Sequence, residues 1–250
     1  MTAAAIDVRS LGKDFGAVRA LDRLDLEVRE AEFFGFLGPN GAGKTTTVHL
    51  LATLLAPSRG SARVAGHDVV TDGLAVRRSI GLVFQETTLD RDLTVEENLR
   101  FAARLWNLPG HRAAPRIDAL LRQFGLDERR GDPVRALSGG MRRAVDIARG
   151  ILHEPRILFL DEPTAGLDPR ARRSLWELIR GLRASSGLTV FLTTHYVEEA
   201  EPCDRVAVMD RGRLAALGTP AELKQAAGVG SLEEVFLART GHELAETGAG

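Results

Sequence analysis

The chain has 250 residues, enough for one sizeable α/β domain or a core with a subdomain, and its 33 basic and 34 acidic residues nearly cancel. That balance excludes a general polyanion-binding surface, and the one cysteine, Cys203, excludes an internal disulfide and fits a reducing compartment. No apolar run approaches the roughly eighteen residues of a membrane span and residues 1–10 lack a signal peptide's apolar segment, so the expectation is a protein soluble by itself that can dock on a membrane protein.

Ala5-Ile6-Asp7-Val8-Arg9 and Leu24-Asp25-Leu26-Glu27-Val28 alternate apolar and polar residues, as half-buried strands do. Between them Phe15 reads either as a hydrophobic plug or as an aromatic that stacks on a base. The apolar strand Phe33-Phe34-Gly35-Phe36-Leu37 then runs into Gly38-Pro39-Asn40-Gly41-Ala42-Gly43-Lys44-Thr45-Thr46, which has the spacing of a phosphate-binding P-loop. Glycines at these positions let the backbone curl until several N–H groups converge on one anion. Lys44 supplies a point charge for the β- and γ-phosphates, and the Thr45 hydroxyl can reach a bound Mg²⁺. A helical pattern through Val48, Leu51, Leu54 and Leu55 follows until Pro57, placing the loop at a helix N-terminus, where phosphate is favoured. The chain is predicted to bind a nucleoside triphosphate. Ser61-Ala62-Arg63-Val64 reads as another short strand, completing a small β layer beside this core.

The apolar stretch 79–84 is the kind of strand found inside a parallel sheet, and it ends in Gln85 and a mostly polar run to Asp92. Thr94 and Glu97 form a capping box before a helix whose stripe is Val95, Leu99, Ala102, Leu105 and Trp106. A second helix presents Ile117, Leu120, Leu121 and Phe124 and stops at Gly125. Residues 92–152 thus read as a helical insertion in an alternating α/β chain. Its last helix opens at Leu137-Ser138-Gly139-Gly140-Met141 and buries Val145, Ala148 and Leu152. Ser138 is a natural N-cap; read alone, the stretch is a capped helix start, although a hydroxyl beside free N–H groups also makes an anion site. Arg142 and Arg143 read as a solvated face.

Ile157-Leu158-Phe159-Leu160-Asp161-Glu162 is a buried strand delivering two carboxylates to the carboxyl edge of the sheet, where ligands bind in such folds. Asp161 can orient Mg²⁺ there, and Glu162 can accept a proton from an attacking water. Asp168 caps the next helix with Pro169 at its first position, burying Leu175, Leu178, Ile179 and Leu182. Thr189-Val190-Phe191-Leu192-Thr193-Thr194 is a further strand. His195, which read alone is a structural residue at a strand end, leaves it on the same edge as Asp161 and Gln85, where it could hydrogen-bond a γ-phosphate or the water attacking it. Strands at 205–209 and 212–216 finish the core. A short helix near 221–225 and the run 232–237 follow, and residues 242–250 read as frayed.

With the P-loop and Leu137-Ser138-Gly139-Gly140-Met141 in one chain, residues 4–241 resemble the ATP-binding subunits of ABC transporters. The resemblance implies an α/β fold, a P-loop NTPase (RecA-like) core with a small antiparallel β layer and an inserted helical subdomain. Its ATPase domain would span 1–220, with the insertion at about 86–152 and a short tail at 221–250. By similarity Leu137–Met141 is the signature motif, Gln85 the Q-loop, Asp161 and Glu162 the Walker B pair, Ala165-Gly166-Leu167-Asp168 the D-loop and His195 the switch histidine. Phe15 falls where the family keeps its adenine-stacking aromatic, usually a tyrosine, which turns its reading toward stacking. ATP and Mg²⁺ are the implied ligands, with Thr45, Gln85 and Asp161 on the metal and Glu162, His195 and Gln85 in hydrolysis.

The family mechanism implies a homodimer formed on ATP binding, each ATP lying between one subunit's P-loop and Ser138-Gly139-Gly140 of the other. It also implies a separate permease whose coupling helix meets the insertion and Gln85, a location at the cytoplasmic face of the membrane, and no nucleic-acid partner. Within the family the chain is most similar to bacterial exporters of the daunorubicin-resistance type, partners of ABC-2 permeases. Met141 stands where most members have glutamine, Thr194-His195-Tyr196 runs into Glu198-Glu199-Ala200-Glu201, and residues 232–241 resemble those exporters' tail. Two departures are Ala31, where a glycine is common, and a shorter interval between Gly218 and Leu232. The expected function is ATP hydrolysis powering export of a drug or other small hydrophobic molecule. A non-transport ABC ATPase acting on nucleic acid or ribosomes is the rival; residues 85–161 hold no sustained heptads, and there is one cassette and no basic surplus. A small-molecule kinase would have no use for Leu137–Met141, and Glu162 and His195 count against a module that regulates without hydrolysing.

Overall fold

The alternating residues at the start of the chain fold into a long hairpin. β1 (Ala4–Phe15) and β2 (Val18–Arg29) pair antiparallel about Gly16 and Ala17 and bury Ile6, Val8, Leu11, Leu21, Leu24 and Val28. In the computed structural model, which describes residues 4–242 and 244, β4 (Arg59–Val64) adds to β1, and the two-residue β5 (His67–Asp68) adds to β4. The result is the expected small antiparallel layer, in the order β2-β1-β4-β5.

The second sheet runs β10-β9-β3-β8-β7-β6, from β3 (Phe33–Leu37), β6 (Ile80–Val83), β7 (Ile157–Asp161), β8 (Thr189–Thr194), β9 (Arg205–Asp210) and β10 (Arg213–Gly218). All neighbours are parallel except β10, which closes one edge antiparallel to β9. Every residue of β3, β7 and β8 is buried, and this explains their unbroken apolar runs, since both faces are covered. One face packs Phe34, Phe36, Phe159 and Phe191 against the antiparallel layer and α1 (Lys44–Leu51). The other packs Phe33, Leu158, Leu160, Val190 and Leu192 against the helices of the insertion and α6 (Pro169–Ser186).

The insertion holds α3 (Val95–Leu105), α4 (Gly110–Gln123) and α5 (Gly139–Gly150), after α2 (Gly73–Ser79) has led into β6. The Thr94–Glu97 capping box forms as expected. Two helices depart from the apolar pattern. α1 stops at Leu51, Thr53 adopts φ 63°, and Leu54 is left 49% exposed. Leu105 is 67% exposed instead of buried; ten residues beyond Val95 it sits roughly 80° off the stripe at about 100° per residue. The short α7 (Val197–Ala200) follows β8. Beyond the sheet, α8 (Pro220–Ala227) and α9 (Leu232–Thr240) bury Leu223, Leu232, Val235 and Phe236 in the helical core. His242 contacts Asp210 through Nε2 at 3.2 Å and Leu244 is buried, so these two are not frayed; residues 243 and 245–250 lie outside the described residues.

Candidate functional site

Parallel strands carry their carboxyl ends to one edge, and three of them deliver the predicted chemistry there. β3 opens into the P-loop, β7 ends in Asp161 and Glu162, and β8 between them ends at Thr194, so the register sets Leu37 beside Thr194 and Asp161 beside Thr193. The loop closes only with glycine. A Cβ on Gly38 would lie 2.5 Å from the Met209 carbonyl oxygen, and one on Gly43, at φ 98°, would lie 2.7 Å from that of Ala20. Gly43 is also the N-cap of α1 and brings no side chain to its first amides. Those uncapped N–H groups fit an anion.

Lys44 is 4% exposed, and its Nζ reaches the carbonyls of Gly38 at 2.8 Å and Pro39 at 3.1 Å and the Glu162 Oε1 at 3.0 Å. The second oxygen of Glu162 lies 3.1 Å from His195 Nδ1. Burial by itself pushes the Glu162 carboxyl up, but the His195 hydrogen bond and the Lys44 charge outweigh it and hold the group down at about 2. Glu162 also adopts φ 44°, a left-handed conformation costing on the order of 1–3 kcal/mol in a side chain of this size. Its N–H donates to the Thr193 carbonyl at 3.2 Å and to Thr193 Oγ1 at 3.0 Å, which fix it there. The Nε2 of His195 is buried with no hydrogen-bond partner among the described residues, a position that a phosphate oxygen or a water can complete.

Asp161 Oδ1 accepts from Thr193 Oγ1 at 2.5 Å and from Thr45 Oγ1 at 3.3 Å. A hydroxyl beside one carboxylate is a hard-oxygen donor set suited to Mg²⁺, which takes few protein ligands and completes its shell with water and phosphate. Among the described residues no group of three or more His, Cys, Asp or Glu is arranged to hold a metal ion by itself.

The P-loop with Lys44 and Thr45 is thus brought together with Asp161, Glu162 and His195, whereas Phe15, Gln85, Ser138, Gly139, Gly140 and Asp168 make none of these contacts. Phe15 is 47% exposed at the hairpin end with Lys13 Nζ lying over its ring 5.2 Å from the centre, so the plug reading fails. Gln85 is exposed, its backbone carbonyl held by Arg143. Ser138 caps α5 by accepting from Met141 N at 3.3 Å, and Asp168 caps α6 by accepting from Arg170 N and Ala171 N at 3.0 Å each. Gly139 and Gly140 pack toward Leu167 and Ala171. Ser138, Gly140 and Asp168 share a cleft to which the P-loop contributes no wall.

Arg143 corrects the reading of a solvated face. It is 6% exposed, and its guanidinium donates to the carbonyls of Phe84 and Gln85 at 2.5 Å each, while Arg142 donates to the Leu137 carbonyl at 2.5 Å. The sequence signal was the pair Arg143 and Asp146, opposite charges on the apolar side of one helix. Thr193 and Glu199 are two more residues of this edge that sequence reasoning passed over, although a threonine-rich strand end beside two carboxylates was a clue.

The ABC transporter family model matches residues 21–165. The chain is 48% identical to the daunorubicin resistance ATP-binding protein DrrA3 of Streptomyces coeruleorubidus, over 94% of this chain and 75% of that protein. It is 44% identical to the Nod factor export ATP-binding protein I of Ralstonia nicotianae, over 87% and 68%. Among solved structures, an ATP-binding subunit of an ABC transporter superposes with a TM-score of 0.84 at 31% identity, covering 94% of this chain and 99% of that one. The cbiO1 protein of Clostridium perfringens, part of the ABC transporter complex cbiONQ, gives 0.82 at 30% identity, over 89% and 91%. With a P-loop, a carboxylate pair and a capped Ser-Gly-Gly helix on this fold, the chain belongs to the ATP-binding subunits of ABC transporters, binding and hydrolysing ATP for a membrane permease.

Proposed function

We propose that the chain powers export of a drug or other small hydrophobic molecule through an ABC-2-type permease. It works at the cytoplasmic face of the membrane as a homodimer that closes on ATP and Mg²⁺. The names of its relatives support the export reading, since resistance to daunorubicin and export of Nod factor are both said of proteins more than 40% identical to it. In this reading residues 1–220 are the ATPase domain, 86–152 its helical insertion and 221–250 a short tail.

The observation that carries the chemistry is the Glu162 carboxylate held between Lys44 and His195, at 3.0 and 3.1 Å. Triphosphate oxygens replace the three acceptors of Lys44, and Glu162, released from the ammonium, becomes a stronger base for the proton of an attacking water. His195 offers its unpartnered Nε2 to the γ-phosphate or to that water. Thr45 and Asp161 would hold Mg²⁺, with Gln85 joining them from its exposed position, and the ion would supply charge neutralisation on the phosphate oxygens. Pro39, Asn40, Gly41, Ala42 and Thr46 complete the cradle, and Phe15 stacks on the base.

The second half of the site comes from another copy. Ser138, Gly140 and Asp168 line one cleft to which no P-loop residue of their own chain contributes, which supports a trans arrangement. The permease meets a cleft of about 260 Å³ between the edge of the sheet at Ile80, Gly81 and Leu82 and the insertion. Leu54, Phe101 and Leu105, the large apolar residues left exposed there, suit the apolar face of a short helix. Glu162→Gln keeps the shape of the side chain and removes the proton acceptor. Hydrolysis should fall about 10²- to 10⁴-fold with ATP affinity retained; near-normal turnover would remove Glu162 from the role of base.

A further inference from the structure

The hydrolytic reading leaves the buried acids Glu32, Asp146 and Glu199 unused, and of these Glu199 bonds the segments next to Glu162 and His195. Glu199 is 2% exposed in the short α7, and each of its oxygens accepts a different hydroxyl: Oε1 that of Thr164, Oε2 that of Thr194 at 2.6 Å. Burial pushes its carboxyl up, and the two hydroxyl bonds offset this only in part, so an ionisable group is kept inside against its solvation preference. Its partners are placed to matter. Thr164 lies two residues beyond Glu162 and directly before the turn to Asp168, and Thr194 directly precedes His195. Past Glu162, whose N–H still donates to Thr193, the two chain segments are no longer held by the ladder of β7 and β8. Thr194 Oγ1 also accepts from Tyr196 N at 2.9 Å, so the strap reaches the backbone on both sides of His195. A second link, Arg172 stacked 4.4 Å over the Tyr196 ring, joins α6 to the same segment from outside.

We propose that Glu199 is a positioning residue for ATP hydrolysis, tying the turn after Glu162 to the end of β8 so that Glu162 and His195 stay in contact. This rests on the assignment of those two as the hydrolytic groups. A carboxylate suits the task because its two oxygens accept from both segments at once, and a shift of either hydroxyl is passed to the other. Displacement of a base by about 1 Å is enough to cost on the order of 10²-fold in rate.

The test is steady-state ATP hydrolysis and nucleotide affinity on the purified chain. Glu199→Ala should lower kcat roughly ten- to hundredfold with KM and ATP affinity within about twofold, because the P-loop is untouched. Glu199→Gln should recover most of the rate, since one amide oxygen still accepts and the NH₂ can donate to the other hydroxyl oxygen. Thr164→Val should lower kcat in the wild-type background and add nothing to Glu199→Ala. Should Glu199→Ala fail to fold, Thr164→Val carries the test at nearly constant volume. An unchanged kcat in Thr164→Val or in folded Glu199→Ala, or equal losses in the Ala and Gln variants, would overturn the proposal. Glu162→Gln measured alongside separates the two readings. If it is inactive while Glu199→Ala is normal, only the strap is wrong; if it turns over like the wild type, the site assignment falls first.

Discussion

The Lys44 ammonium touches two loop carbonyls and one carboxylate, three acceptors that phosphate oxygens can replace, so the loop is held in a binding shape by its own lysine. Lys44→Ala should therefore remove productive ATP binding, and isothermal titration that finds wild-type affinity would sink the P-loop assignment. The same variant reports on Glu162. With its carboxyl lowered to about 2 from an ordinary 4.5, the group's contribution to stability is complete above pH 4.5 and is lost as pH falls from 4.5 through 2. Removing Lys44 leaves His195 as the remaining partner holding the carboxyl down, so its titration should move up. Carboxyl carbon chemical shifts followed against pH measure this, and an unmoved midpoint would deny the ion pair.

At the scale of elements, the insertion is hinged to the sheet through Arg143, whose guanidinium holds the carbonyls of Phe84 and Gln85 where β6 gives way to the Gln85 loop. Arg143→Ala leaves two inward carbonyls without this donor and should cost about 1–3 kcal/mol of stability, readable as a lower urea midpoint. It should also lower ATPase through a loosened Gln85; stability and activity both at wild-type level would show the hinge to be idle. This contact marks the limit of sequence reading. The P-loop, the carboxylate pair and the cap at Ser138 were legible because each is a run of neighbouring residues whose backbone or charge admits few alternatives. Arg143 was misread because its partners lie 59 and 58 residues away, and Glu199 passed unnoticed because Thr164 is 35 residues from it. Periodicity likewise placed α3 but mistook Leu105, which lies roughly 80° to the side of the stripe at about 100° per residue, and the two-residue β5 is too short to show a period.

For the whole molecule the decisive property is that the cleft lined by Ser138, Gly140 and Asp168 takes no wall from the P-loop of the same chain. In the proposed dimer, a P-loop at the edge of the sheet and a capped Ser138 helix in the insertion would make a complete site when a second copy turns its insertion toward the first. ATP would then act as the bond between subunits, and its hydrolysis would break that bond, giving the permease a cycle of closing and opening. The most direct measurement mixes Lys44→Ala subunits with Ser138→Arg subunits in the presence of labelled ATP and Mg²⁺. In the mixed dimer one site carries both lesions and the other carries neither. The account predicts that label is retained by the mixture and by neither variant alone. Retention by Ser138→Arg alone at the wild-type level, or by no sample but the wild type, would contradict a site shared between two copies.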